Sequence, residues 1–138
     1  MLNNELDLSF NYEPIPYSLI ECGKHIQSQG KKAQLAKLAK HGDINLLRAS
    51  REFDGKSNFF SERVQWKQDV TWTVTASGSD IWVENFGYRI NDSEIINAST
   101  FPQDYDFLNQ KVKYICGMSV PPIMIKRIVT RLIESGVF

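Results

Sequence analysis

The residues of this 138-residue chain that could do chemistry are two cysteines, two histidines, scattered carboxylates and one dense run of cations. Cys22 and His25 stand in Cys-x-x-His spacing, which could present a thiol and an imidazole to one metal ion. A structural zinc site takes four ligands, and His41 is no convincing third, so no metal is expected and a partly buried cysteine is the better reading. Asp104 and Asp106 could be taken for an acid–base pair. Flanked by Phe101, Tyr105 and Phe107 in a proline turn, they read instead as local caps. The cations are more suggestive. Residues 23–51 hold Lys24, Lys31, Lys32, Lys37, Lys40, Arg48 and Arg51 against Asp43 alone, whereas residues 1–22 hold four carboxylates and no Lys or Arg. Such a block either attracts a phosphate backbone or forms a solvated helix face.

The elements that must position these residues can be read from local pattern. Pro14 and Pro16 break the chain, and Pro16 suits the first turn of a helix over residues 17–27. A second helix is predicted over 31–41, where Leu35, Leu38 and Ala39 share a face and Gly42 is a stop. Residues 43–62 read as loop, with turn chemistry at Asp54-Gly55-Lys56-Ser57-Asn58. The β-branched and aromatic run Val70-Thr71-Trp72-Thr73-Val74-Thr75 predicts a strand, Ser77-Gly78-Ser79-Asp80 a turn, Ile81-Trp82-Val83 a returning strand and Gly87-Tyr88-Arg89-Ile90 a third. Asn91 or Asp92 can cap a short helix through Ile96. Pro121 and Pro122 open a final amphipathic helix whose stripe is Met124, Ile125, Ile128, Val129, Leu132 and Ile133, with Gly136 as its stop. The fold class expected is α+β: two N-terminal helices, a small antiparallel sheet and a long C-terminal helix. The organisation expected is a helical segment over 1–56 and a second segment over 57–138, joined in one compact unit.

Three motifs stand in order in the second segment: Thr71-Trp72-Thr73-Val74-Thr75-Ala76-Ser77-Gly78, then Thr100-Phe101-Pro102-Gln103-Asp104-Tyr105-Asp106-Phe107, then Gly117-Met118-Ser119-Val120-Pro121-Pro122 and a helix. That order resembles the C-terminal end of DNA (cytosine-5) methyltransferases, especially phage- or prophage-type members. There a Pro-Thr-x-Thr-Ala segment precedes a Phe-Pro-x-x-Tyr segment and a closing Gly-Asn-x-Val-Pro-Pro. The resemblance covers residues 57–138 and implies the C-terminal lobe of such an enzyme. It implies double-stranded DNA as a partner, contacted by Thr73, Thr75, Ser77 and Gly78 of the recognition region, since hydroxyls and exposed amides are common phosphate donors. Arg63, in a Phe59-to-Val64 segment that resembles the lead-in to that region, is the implied DNA-facing cation, with an ion pair to Glu62 or Asp69 as its alternative. With the resemblance, part of the basic block, Lys31 and Lys32 in particular, also reads as DNA-facing. The closing motif implies that Met118, Ser119 and Val120 border an S-adenosylmethionine pocket. Met118 stands where the family has Asn, so an amide donor and acceptor is lost there.

The family's Pro-Cys nucleophile, Phe-x-Gly-x-Gly cofactor loop and Gln-x-Arg-x-Arg segment are not in this sequence. Cys22 follows Glu21, Cys116 follows Ile115, and Glu84-Asn85-Phe86 resembles the family's Glu-Asn-Val but in the wrong order, so it reads as a turn. The family flips its target cytosine out of the duplex and attacks it with a cysteine thiolate, and no residue here is expected to be catalytic. The expected function is a C-terminal fragment or subunit of such a methyltransferase, working with a complementary N-terminal chain or as a homodimer. The rival expectation is a catalytically inactive stand-alone DNA-binding or regulatory module. Lys plus Arg equals Asp plus Glu at 16 each, and no apolar run is long enough to span a bilayer, so no membrane partner is expected. Two cysteines without a disulfide framework point to the cytoplasm.

Overall fold

Ile81, Trp82 and Val83 are buried one after another, with no polar residue alternating between them. A strand covered on both faces reads this way, as in parallel sheets. In the computed structural model, which describes residues 11–25 and 27–136, these residues form β2 (Ile81–Val83). It pairs in parallel with β1 (Arg63–Gln65), in the register Arg63↔Ile81, Val64↔Trp82 and Gln65↔Val83. The expected antiparallel sheet is therefore corrected to a two-stranded parallel one. Among the described residues antiparallel pairing survives only as single bridges, Asn45↔Arg63, Trp82↔Arg89 and Pro16↔Val70, so the predicted strand at 87–90 contributes one bridge.

The strand predicted over 70–75 does not form, and the reason lies in a buried side chain. Gln65 is fully buried, and its amide nitrogen donates to the carbonyls of Trp66 and Asp69 at 2.9 and 3.2 Å. Its side-chain oxygen accepts the Trp72 amide at 3.0 Å, while the Trp72 indole donates to the Val64 carbonyl at 2.8 Å. Backbone groups that a ladder would use are thus bonded to a side chain, which satisfies the same requirement.

Helices cover the pair. α1 (Lys31–Lys37) and α2 (Leu47–Asp54) bury Ala33, Leu35, Ala36 and Ala49 against Val64, Trp66 and Trp82, with Leu46 and Ala39 in the same cluster. This cluster draws residues from both sides of position 56. α1 ends before the predicted 41, because Asp43 captures the Lys40 amide at 2.7 Å and Arg48 donates to the Leu38 carbonyl at 3.0 Å. Leu38, expected on the buried face, is exposed. α2 lies in the stretch read as loop; the Asn45 side chain accepts the Leu47 amide at 3.0 Å, and Gly55, at φ 72°, ends it. The helix predicted over 17–27 is only a 3₁₀ turn, Tyr17–Leu19. The Tyr17 and Ser18 amides are drawn to the carbonyls of Asp69 and Lys67, and the Cys22 amide to Glu94. Ile26 lies outside the described residues.

α3 (Asp92–Ala98) forms as predicted, with Asn91 and Glu94 in a reciprocal capping box. It packs on α4 (Val112–Met118), which the sequence reading did not anticipate. α5 (Pro122–Glu134) also forms as predicted, and its first turn is held by Thr100, whose hydroxyl accepts the Ile123 amide at 3.2 Å. No helix among the described residues is long and apolar enough to cross a membrane.

The α1–α2 connection carries a pH signature. Arg48 Nε donates to both oxygens of Asp43 at 2.7 and 2.9 Å, and the guanidinium holds this carboxyl below its usual range. A depressed folded value means that the unfolded chain binds the proton first as pH falls. The stabilisation is therefore complete above the ordinary carboxylate range and is lost as pH drops through the folded value. The urea midpoint is expected to fall below about pH 5, and Asp43→Asn to flatten that part of the profile. An unchanged slope in the variant would show that other carboxylates set it.

Candidate nucleic-acid interface

Arg63 begins β1, and the irregular 71–80 segment runs beside it. Arg63, Thr73, Thr75, Ser77, Ser79 and Lys113 line one cleft of about 210 Å³, with Phe60, Ser61 and Ile81 completing its wall. Four of the predicted DNA-facing residues are thus brought together. The Thr75 and Ser77 hydroxyls lie 3.3 Å apart. The Arg63 guanidinium sits 5.0 Å from the Trp72 ring centroid, so its orientation is set by an aromatic face and it has no ion pair among the described residues. Glu62, one of its expected partners, is buried and instead accepts from Lys32 at 2.7 Å and from the Trp82 indole at 2.9 Å.

A second cleft adjoins the first and shares Ser77 and Lys113 with it. Gly78, Asp80, Arg89 and Lys111 line it, together with the amide side chains of Asn109 and Gln110. The two clefts together carry Arg63, Arg89, Lys111 and Lys113 against the single carboxylate Asp80. Arg89, Lys111 and Lys113 were not singled out from the sequence. The available signal was the Lys111-Val112-Lys113 alternation just ahead of the closing motif.

The basic block behaves differently. Lys31 bonds Asp54, Lys32 bonds Glu62, Lys40 lies 3.3 Å from Glu52, and Arg48 holds Asp43 and Glu52. The carboxylates that neutralise it come mostly from residues 52–62, beyond the segment in which the charges were counted. Lys31 and Lys32 stand by the Phe59 ring rather than in the Arg63 cleft.

Met118 and Val120 project from the end of α4, 67 % and 52 % exposed. The Ser119 hydroxyl donates to the Cys116 carbonyl at 3.0 Å. These three residues offer an open edge, not an enclosure, and so do not fit an S-adenosylmethionine site by themselves. Their neighbour Gly117 is more informative. A Cβ built on it would lie 2.2 Å from the Ala76 nitrogen and 2.4 Å from the Thr75 carbonyl carbon. The closing motif is therefore in backbone contact with the Thr73–Ala76 segment.

The remaining reactive groups are held in structure. The Cys22 amide, the Tyr17 hydroxyl and His25 Nε2 all meet Glu94 Oε1, at 3.2, 3.0 and 2.6 Å. His25 stacks on Tyr88 at 3.9 Å. Burial pushes both the Cys22 and Cys116 thiols above their ordinary value, the reverse of what a nucleophile requires. No three His, Cys, Asp or Glu side chains among the described residues are grouped to hold a metal. Asp106 accepts the Leu108 amide at 2.8 Å in a local turn, and Phe101, Tyr105 and Phe107 pack on one another. Glu84-Asn85-Phe86 is a turn, with Asn85 at φ 60°.

Comparison with protein-family models, with curated proteins and with solved structures returned no match for this chain.

Proposed function

We propose that this chain is a C-terminal fragment or subunit of a DNA (cytosine-5) methyltransferase that contributes DNA recognition and one edge of an S-adenosylmethionine site. The observation that carries the reading is the meeting of Arg63, Thr73, Thr75 and Ser77 in one cleft whose floor segment lies against Gly117 of the closing motif. Motifs separated in sequence are neighbours in space, as parts of one site must be. In this reading the Arg63 and Lys113 cations and the Thr73, Thr75 and Ser77 hydroxyls bind backbone phosphates and position the duplex. The cofactor supplies the methyl group when bound in the complete enzyme, and the complementary chain supplies the nucleophile and the rest of the cofactor site.

DNA binding tests the first part. The chain is expected to bind short duplexes weakly and with steep salt dependence, each phosphate contact contributing a slope of about −0.9. Arg63→Glu is expected to weaken binding at least about tenfold at low salt. Charge reversal at Lys31 should do much less, because Asp54 already holds that cation. Equal losses from the two variants would return the basic block to the interface, and no binding at all would remove DNA recognition.

Association tests the second part. Ile128 and Leu132, central to the α5 stripe, are half-buried, whereas Ile125, Val129 and Ile133 form an exposed row along the helix. Full burial of one such side chain is worth roughly 1.5–3 kcal/mol; these three are about half exposed and leave part of that unrealised, and this row is where the complementary chain docks. The chain alone is expected to transfer no methyl group to DNA. Mixed with a chain carrying the Pro-Cys and Phe-x-Gly-x-Gly motifs it should support transfer, and Val129→Asp should abolish that while leaving the circular dichroism unchanged. Failure to complement, with DNA binding retained, would favour the stand-alone DNA-binding module.

A further inference from the structure

Asp80 is the one carboxylate in the two joined clefts, and it stands between two of their cations. Its Oδ2 is 3.2 Å from Arg89 Nη1 and its Oδ1 is 3.3 Å from Lys113 Nζ. Charge-assisted bonds of good geometry run about 2.7–2.9 Å. The chain achieves that elsewhere, at 2.7 Å for Lys32–Glu62 and 2.8 Å for Lys67–Glu21. Both Asp80 contacts are loose by comparison. Arg89 is about half exposed, so its pair is also the kind that solvent weakens most. Lys113 does not depend on Asp80 for its position, since it also donates to the Ser79 carbonyl. Asp80 is likewise held through its backbone, its carbonyl accepting the Arg63 amide at 2.9 Å.

We propose that Asp80 occupies the place of a DNA phosphate, holding Arg89 and Lys113 apart in readiness, and that the phosphate displaces it on binding. One anion leaves the two cations as another arrives, so Arg89 and Lys113 are partly neutralised when the cleft is empty and gain a charge-assisted contact when it is filled. Asp80 thereby sets the affinity: it lowers the strength of nonspecific phosphate binding and makes engagement depend on a phosphate placed between Arg89 and Lys113. The inference rests on the DNA-binding reading above and extends it to a residue that opposes binding.

The test is fluorescence anisotropy of the full chain with a short labelled duplex, across a salt series. Asp80→Asn keeps the side-chain size and removes the charge. It is expected to tighten binding about tenfold at low salt and to steepen the salt slope by about 0.9, the value for one phosphate contact. Asp104→Asn removes an equal charge from an exposed position outside the clefts and should change binding far less. Arg89→Gln in the otherwise unaltered chain should weaken binding and lower the slope by about 0.9; it provides the answer if Asp80→Asn does not fold. Unchanged or weaker binding by Asp80→Asn, a gain matched by Asp104→Asn, or an Arg89→Gln variant that binds like the parent, would each overturn the proposal while leaving DNA binding intact. Absence of binding in every variant, the parent included, would overturn this proposal and the DNA reading together.

Discussion

Gly117→Ala is expected to destabilise the protein by about 3 kcal/mol, the upper range for overpacking a tight contact. The added Cβ would meet the Ala76 nitrogen at 2.2 Å, the Thr75 carbonyl carbon at 2.4 Å and the Ala76 Cα at 2.9 Å. All three are backbone atoms, so no side chain can rotate away, and α4 must withdraw from the segment. Alanine has an intrinsic advantage over glycine of about 1 kcal/mol inside a helix, which opposes the clash. The sign of the result therefore separates close packing from helix propensity. Withdrawal of α4 would also carry Lys113 away from Thr75 and Ser77, so the proposed DNA binding should fall with stability. Urea unfolding and duplex anisotropy of the variant measure both. A variant as stable as the parent, or more so, would mean that the two motif segments are not in contact.

Glu94→Ala is expected to cost about 3–5 kcal/mol, since it removes the one acceptor that several hydrogen-bond donors share and each group left unsatisfied costs about 1–3 kcal/mol. Glu94 has no solvent exposure. Its Oε1 accepts from the Tyr17 hydroxyl, the Cys22 amide and His25 Nε2, and its Oε2 accepts the Asn91 amide at 2.8 Å. Truncation strands these donors, of which the Tyr17 hydroxyl is fully buried and the others partly so, and each unsatisfied group carries its own desolvation penalty. It also releases the segment from Tyr17 to His25, which Glu94 ties to α3. The Tyr17 hydroxyl is held well above its ordinary range by burial first and by Glu94 second, so it should not ionise in the folded parent at any pH the fold survives. Glu94→Gln keeps one acceptor oxygen but turns an NH₂ toward a donor, so its loss should be smaller than that of the alanine variant. Thermal melts of the three proteins, with the ultraviolet tyrosine titration, measure these effects. Equal melting temperatures would show that the network contributes nothing.

The parts of this fold that the amino-acid sequence determined by itself are those whose bonds close within a few residues. Asn91 and Glu94 cap α3 because the box spans three positions, and the cap needs no other part of the chain. Pro122 at the first turn and Gly136 after the last residue bound α5 for the same reason. α2 carried such signals too, in Asn45 before it and Gly55 after it, but the turn residues beside it masked them. The meeting of Arg63 with Thr73, Thr75 and Ser77 in one cleft has no local signal, because no short-range rule brings β1 beside the following loop.

Tertiary structure decided the rest. Residues 70–75 have the composition of a strand, yet the buried Gln65 side chain takes the Trp72 amide, and a hydrogen bond from backbone to side chain leaves no periodic trace. The basic block is strongly cationic along the chain, but Asp54 and Glu62 meet Lys31 and Lys32 once α1, α2 and β1 pack. The cationic face appears instead where Arg63, Arg89, Lys111 and Lys113 converge from separate elements. Charge is a property of residues, whereas an electrostatic surface depends on which charges folding brings within a few ångströms of one another, and that distance is set by packing between segments remote in sequence.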